Sequence, residues 1–515
     1  MAGKKVKGAK AARKHKAEKN VTSKVKASNG MRKAPAAPLN WSQLLSTSRV
    51  VGPDRKVSIY ESINDHRTDH ERDFDRVVFC TPVRRLKDKT QVFPLDMHDG
   101  VRTRLTHSME VSNLARSMGT AVSAEIEGIS AVPGARRNVP ALLAAIALTH
   151  DLGNPPFGHQ GEVAIRSWVE ENEAEIKAEA KSAFNRDMLK DFLLFEGNAQ
   201  GFRILTRLQH QDHKSGLRLT ASTLRAFMKY PWLSDAVKGD GGPKKFGVFR
   251  SEKDVFEWSS NETGLKVGAR HPLSYLMEVC DDIAYSVLDI EDAVKKEIIS
   301  VAELASYVGN DPRYKEDERV EQLLRQYGDD RDWLNSLRMP PEESKPVPVP
   351  LTSKEIRDSQ IDIIRSYAIG LMVSDAIERF TKLEADNSFG SLRKGIAEDF
   401  RSSKLVDAFK DFASLRVYKH PSVLKAELHG HRIIPQLMTA FWQSIVKHSH
   451  GTPSKIDEYV MSLMSPNYVR VYRQSKDLNL PPWYRQVQLV CDQVCGMTDS
   501  YAMRVYEALV DLEAI

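Results

Sequence analysis

The stretch ALTHDLGNPPFGHQGE, residues 147–162, decides how this chain is read. The apolar run LLAAIAL (142–148) leads into adjacent His150 and Asp151, and the chain then breaks at once on Gly153-Asn154-Pro155-Pro156. An imidazole and a carboxylate at the buried end of a core helix carry a desolvation cost that something must offset. A bound cation would do so. The Pro-Pro break predicts that a second helix starts at about Gly158. That bend brings His159 and Glu162 back beside the first helix end, whereas a continuous helix would carry His159 about 13 Å along its axis from His150.

Two other segments offer ligand-type side chains. In TRLTHSMEVS (103–112), His107 shares a helix with apolar Val111, Leu114 and Met118. In SYLMEVCDDIAYSVLDIEDAV (274–294), Asp281, Tyr285 and Asp289 are spaced i, i+4, i+8 and share one helical face. Each feature alone has an ordinary reading. A lone histidine is commonly a satisfied core or surface group, and His150 could simply cap a helix C-terminus. The pair His159–Glu162 could be a surface i, i+3 pair. Taken in the order His, His-Asp, Asp, they form a two-imidazole, two-carboxylate set suited to a hard or borderline divalent ion. Asp282 competes with Asp281 for the last place.

The surrounding sequence sets the frame. The chain has 515 residues, 41% apolar and 28% charged, as expected of a soluble globular protein. No apolar run approaches the roughly 18 residues of a membrane span, and the basic N-terminus lacks the apolar core of a secretory leader. Cys80, Cys280, Cys491 and Cys495 contain no CxxC pair, which suggests a reducing compartment without a disulfide framework. Residues 1–33 hold twelve Lys/Arg against the single Glu18; the net +6 therefore hides a +11 tail on a remainder of −5. Residues 1–35 are predicted to be a disordered basic tail, either solvated or in contact with a polyanion such as single-stranded nucleic acid. Residues 36–515 are predicted to form one large helical domain with a Pro-rich loop at about 339–352. Helical periodicity covers Arg104–Gly119, Val139–His150, Pro272–Val294, Lys354–Leu383 and Trp483–Leu512. The fold class is all-α with at most a small β-hairpin, for which Phe246, Val248 and Phe249 are the candidate. No GxxxxGK[ST] phosphate loop occurs.

The order H…HD…D resembles that of HD-superfamily phosphohydrolases. VRTRLTHSMEVS (101–112), LTHDLGNPPFGHQGE (148–162), FEGNAQGFRIL (195–205), MKYP (228–231), KKFGVFRSE (244–252), YLMEVCDDIAYSVLDIEDAV (275–294) and CGMTDSYA (495–502) together resemble the deoxyguanosine triphosphate triphosphohydrolase (dGTPase) family over about residues 40–510. The resemblance implies metal ligation by His107, His150, Asp151 and Asp281, and a catalytic pair His159 and Glu162. It implies Tyr285 against the deoxyribose and Asp289 on its 3′-hydroxyl. Arg104, Asn198, Lys229, Tyr230 and Lys245 match positions around the phosphates. The implied reaction is metal-dependent hydrolysis of dGTP, or other dNTPs, to deoxynucleoside and triphosphate. Mg²⁺ or Mn²⁺ is expected, with Ni²⁺, Fe²⁺ and Zn²⁺ compatible. A cytoplasmic homo-oligomer (tetramer or hexamer) and a nucleotide or single-stranded DNA effector are also implied, with no membrane partner. The competing expectations are HD phosphoesterase action on another nucleotide or DNA end, and a single-strand-binding regulatory protein.

Overall fold

A computed structural model describes residues 39–51, 56–58, 66–93, 100–209, 216–238, 243–336, 351–392 and 395–512. The expected basic tail, and the Pro-rich stretch up to residue 350, lie outside these. Helices dominate the described chain; the strands among them are β1 (Arg49–Val51) and β2 (Lys56–Ser58), an antiparallel pair with Val50 opposite Val57. The helices that position the site are α1 (Asp69–Val78), α2 (Arg104–Glu125), α3 (Ala135–Thr149), α4 (Gly158–Glu171), α5 (Gly197–Arg203) and α6 (Pro272–Lys295). They are joined by α7 (Ser353–Ala385), α8 (Ser403–Arg416), α9 (Pro421–His450), α10 (Pro482–Cys495) and α11 (Asp499–Asp511).

LLAAIAL explains why α3 sits at the centre. Leu142 through Leu148 are all buried, so this helix has no solvent face in its second half. It packs chiefly on α2, with α1 on another side. Gly119 permits the close crossing: a Cβ there would lie 2.9 Å from both Pro140 Cα and Leu143 Cδ1. Thr103 starts α2 with a reciprocal capping box, accepting from Thr106 N–H while Thr106 Oγ1 accepts from Thr103 N–H at 3.0 Å. On the far side, α6 packs on α7 and α8, and α9 packs on α4 and α10. One apolar cluster runs from Trp41 to Leu509. Cys80, Cys280, Cys491 and Cys495 are all buried in it as free thiols.

Two sequence expectations need correction. The predicted helix over 483–512 is two helices, α10 and α11, interrupted at Gly496–Thr498, where Thr498 caps α11 by accepting from Tyr501 N–H. Apolar periodicity runs across the break and conceals it. Among the described residues no strand forms around Phe246, Val248 and Phe249; Val248 makes an isolated parallel bridge with Leu233. All three side chains are fully buried, with Phe249 against Phe192 and Phe195, so the segment is an irregular wedge in the core. The β-pair lies instead at 49–58. Among the described residues no helix is long and apolar enough to cross a membrane.

Candidate metal centre and adjoining cavity

His150 caps α3, and its Nδ1–H donates to Ala147 O at 2.7 Å. That bond fixes the ring and turns Nε2 inward. Nε2 is buried without a hydrogen-bond partner among the described residues, as is Nδ1 of His107. Around them, His107 Nε2 lies 3.2 Å and His150 Nε2 3.4 Å from the same oxygen, Asp281 Oδ1, and His150 Nε2 lies 3.5 Å from Asp151 Oδ2. The two imidazole centroids are 5.6 Å apart. His107, His150 and Asp151 could hold a metal ion, their ligand-type atoms all lying within 4.8 Å of one another. The unpartnered His150 Nε2 and the His107 Nε2, both facing carboxylate oxygens, fit a divalent cation. Asp282, the rival of Asp281, instead pairs with Lys410 of α8.

Electrostatics tie the group together. Burial disfavours the His150 cation, but Asp151 and Asp281 outweigh it and bring the imidazole up to about 9. Burial likewise opposes ionisation of Asp281, yet His150 and His107 hold its carboxyl well below the usual range. Without metal, a proton on His150 therefore occupies the place a cation would take. Asp151 is further fixed from both sides: Arg104 pairs with Oδ2, and Asn154 Nδ2 donates to Oδ1 at 2.7 Å.

The Gly-Asn-Pro-Pro bend ends at Phe157, a buried residue in the left-handed region (φ 61°), and α4 begins immediately after. In the first turn of α4, His159 Nδ1 lies 3.1 Å from Glu162 Oε2, while Glu162 Oε1 accepts from Gly197 N–H at 2.7 Å. Glu162 is buried and His159 is 68% exposed, so the imidazole is free to reach a ligand. Both line a cavity of about 480 Å³, together with Arg104, Asp151, Asn198, Lys245, Asp281 and Tyr285. This is within the usual range for small-molecule sites.

On α6 the i, i+4, i+8 series descends from the cavity into the core. Tyr285 stacks on Tyr418, with centroids 5.8 Å apart, and Tyr418 O–H donates to Asp289 Oδ2 at 2.6 Å. Asp289 is 2% exposed, and burial pushes its carboxyl up to about 8. Lys245 rests on Glu196 at 3.1 Å at the cavity edge. Lys229 does not join it. Its ammonium pairs with Glu278 at 2.9 Å and lies over the Tyr230 ring, and neither Lys229 nor Tyr230 lines the cavity.

Some residues of the site are silent in the sequence. Tyr418 carries no recognisable signal; an aromatic just past a helix end is ordinary. Asn154 lies within the quoted break, where its context marks only a helix breaker. Asp499 lies in CGMTDSYA, and nothing in that motif points to its partners.

The HD domain family matches residues 104–223, and the phosphohydrolase-associated domain matches residues 399–508. The chain is 34% identical to a Listeria monocytogenes deoxyguanosinetriphosphate triphosphohydrolase-like protein, over 92% of this chain and 99% of that one. It is 32% identical to a like-named Synechocystis protein, over 92% and 99%. It is 28% identical to the deoxyguanosinetriphosphate triphosphohydrolase of Salmonella paratyphi A, over 88% and 97%.

Proposed function

Because the chain belongs to the deoxyguanosinetriphosphate triphosphohydrolase family of HD-domain phosphohydrolases, we propose that it hydrolyses dGTP, and other dNTPs to a degree set by the base pocket, to deoxynucleoside and inorganic triphosphate. The observation that carries this reading is that Asp151 and Asp281, the carboxylates of the cluster with His107 and His150, and the His159–Glu162 pair line one cavity of nucleotide size.

His107, His150, Asp151 and Asp281 would hold one divalent ion, Mg²⁺ or Mn²⁺ by the hardness of the carboxylates, with Ni²⁺, Fe²⁺ and Zn²⁺ compatible with the imidazoles. When bound, such an ion supplies Lewis acidity to a phosphoryl oxygen and lowers the pKa of water. The rest is done by the protein's own residues. In the reaction, a water oxygen bonds to the α-phosphorus while its bond to the 5′-oxygen breaks, and triphosphate leaves whole. The departing alkoxide needs a proton, and His159 is the exposed imidazole placed to donate it, an effect worth typically ~10²–10⁴-fold. Glu162, locked by Gly197 N–H on one oxygen, holds the ring with the other. Arg104 and Lys245 counter triphosphate charge, and Asn198 donates a neutral hydrogen bond. Both cations rest on carboxylates, Asp151 and Glu196, which they can exchange for phosphate oxygens. Tyr285 would abut the deoxyribose where a 2′-hydroxyl would project. Asp289, reached through Tyr418, would fix the 3′-hydroxyl end.

The test is direct. Incubating the protein with each dNTP and a divalent ion, with products resolved by ³¹P NMR, should yield triphosphate and deoxynucleoside. Orthophosphate or pyrophosphate as the primary product would overturn the assigned bond cleavage.

A further inference from the structure

We infer that Asp499, at the start of α11, is a positioning residue that sets two walls of the cavity at once; its effect on turnover rests on the function proposed above. Asp499 lies 409 residues from Thr90, yet its Oδ2 accepts both Thr90 N–H, at 2.9 Å, and Thr90 Oγ1–H. Its Oδ1 accepts Phe157 N–H at 3.0 Å. The side chain is 1% exposed, and both its oxygens accept hydrogen bonds.

The two residues so held, Thr90 and Phe157, lead to different parts of the site. Thr90 O accepts from Arg104 Nη2 at 2.9 Å and Nε at 3.1 Å, which aims the guanidinium at Asp151. Thr90 also bridges to Thr103, the cap of α2, so His107 rides on the same anchor. Phe157 N–H lies at the left-handed turn that launches α4, so holding it fixes where His159 and Glu162 begin. Lys89 reinforces the joint from below. Its buried ammonium donates to Asn154 O at 2.6 Å and Cys495 O at 2.8 Å, and Asn154 in turn holds Asp151.

A carboxylate that only stabilised the fold would have no reason to join the entrances of α2 and α4 at the points where they meet the cavity. Asp499 therefore acts through Arg104, Asp151 and His159 and touches no reacting atom. The C-terminal helices contribute alignment to a centre whose chemistry lies elsewhere.

The experiment is Asp499→Asn in the full-length, metal-loaded protein, which keeps one acceptor and turns an amide toward Thr90 or Phe157. Since misplacing a group by an ångström can cost about 10²-fold, kcat/KM should fall roughly 10–100-fold. Combined with His159→Ala, Asp499→Asn should add a smaller further loss than it causes alone, because one of the groups it aligns is already gone. Amides 157–160 should exchange faster, with those of α9 unchanged. Additive losses, or unchanged exchange at 157–160, would overturn the inference. Because exchange needs no turnover, it decides the positioning role even if no dNTP is hydrolysed. Should Asp499→Asn fail to fold, Lys89→Met tests the same joint, with the same non-additivity and exchange expected and the same results refuting it.

Discussion

Replacing Gly153 by alanine tests the geometry of the bend most sharply. A Cβ at Gly153 would sit 1.9 Å from Gly197 O and 2.2 Å from Gly201 N, both backbone atoms of α5. Restoring even a 3.0 Å approach requires the 153 turn and the start of α5 to part by about 1.1 Å. Overpacking costs about 1–3 kcal/mol, and two backbone segments yield less readily than side chains, which places this case near 3 kcal/mol. For a chain of this size that corresponds to a fall in Tm of roughly 3 °C. The larger effect falls on turnover. Gly153 is two residues from Asp151, and Gly197 N–H holds Glu162, so the shift disturbs both halves of the site. A displacement of that size should cost roughly 10²-fold in kcat. The assay is triphosphate release beside thermal unfolding, with Gly370→Ala as control. Gly370 lies in α7, and a Cβ added there would meet nothing within 4 Å, so alanine should stabilise by about 0.5–1 kcal/mol without changing turnover. Wild-type turnover and Tm in Gly153→Ala would refute the reasoning.

Three further outcomes are expected. His107→Ala or Asp281→Ala should lose bound metal by elemental analysis with the fold retained, whereas His159→Ala should keep the metal and slow turnover by about 10²–10⁴-fold; metal loss in the last would contradict the division of roles. Burial raises Asp289 to about 8, so the metal-free folded protein keeps a proton that the unfolded chain releases near 3.8; the associated stability is complete below about pH 4 and is lost as pH rises toward 8. Asp289→Asn should therefore flatten the dependence of the urea midpoint between pH 5 and 8, and an unchanged slope would refute this. Arg203 is buried between Glu252 and Asp492, each at 2.7 Å, so Arg203→Met should cost about 3–5 kcal/mol in urea unfolding by removing the cation they share; a loss below about 1 kcal/mol would show that Arg207, Ser251 and Gln200, which also contact them, suffice.

The parts of the site visible in the sequence are those set by local spacing. The apolar run before His150, the double proline after it and the i, i+4, i+8 face of α6 are each properties of one segment, and the structure brings those segments together. Direction and distance are less visible. MKYP matches positions around the phosphates, but Glu278, one turn before Asp282, draws the Lys229 ammonium elsewhere. The break between α10 and α11 depends on Gly496 and the cap at Thr498, weak signals inside continuous apolar periodicity. Tyr418 and Asp499 reach partners 129 and 409 residues away, and no local pattern encodes such pairings.

The sealed thiols have a practical consequence. Burial pushes every one of them up, Cys80 to about 11 and the other three further, so almost no thiolate exists near neutral pH. Alkylating or disulfide reagents can gain access only when the surrounding helices separate. Labelling kinetics of the unmodified protein should thus serve as a built-in clock for spontaneous opening, with Cys80 timing the turn before Thr81 and Cys491 and Cys495 timing α10.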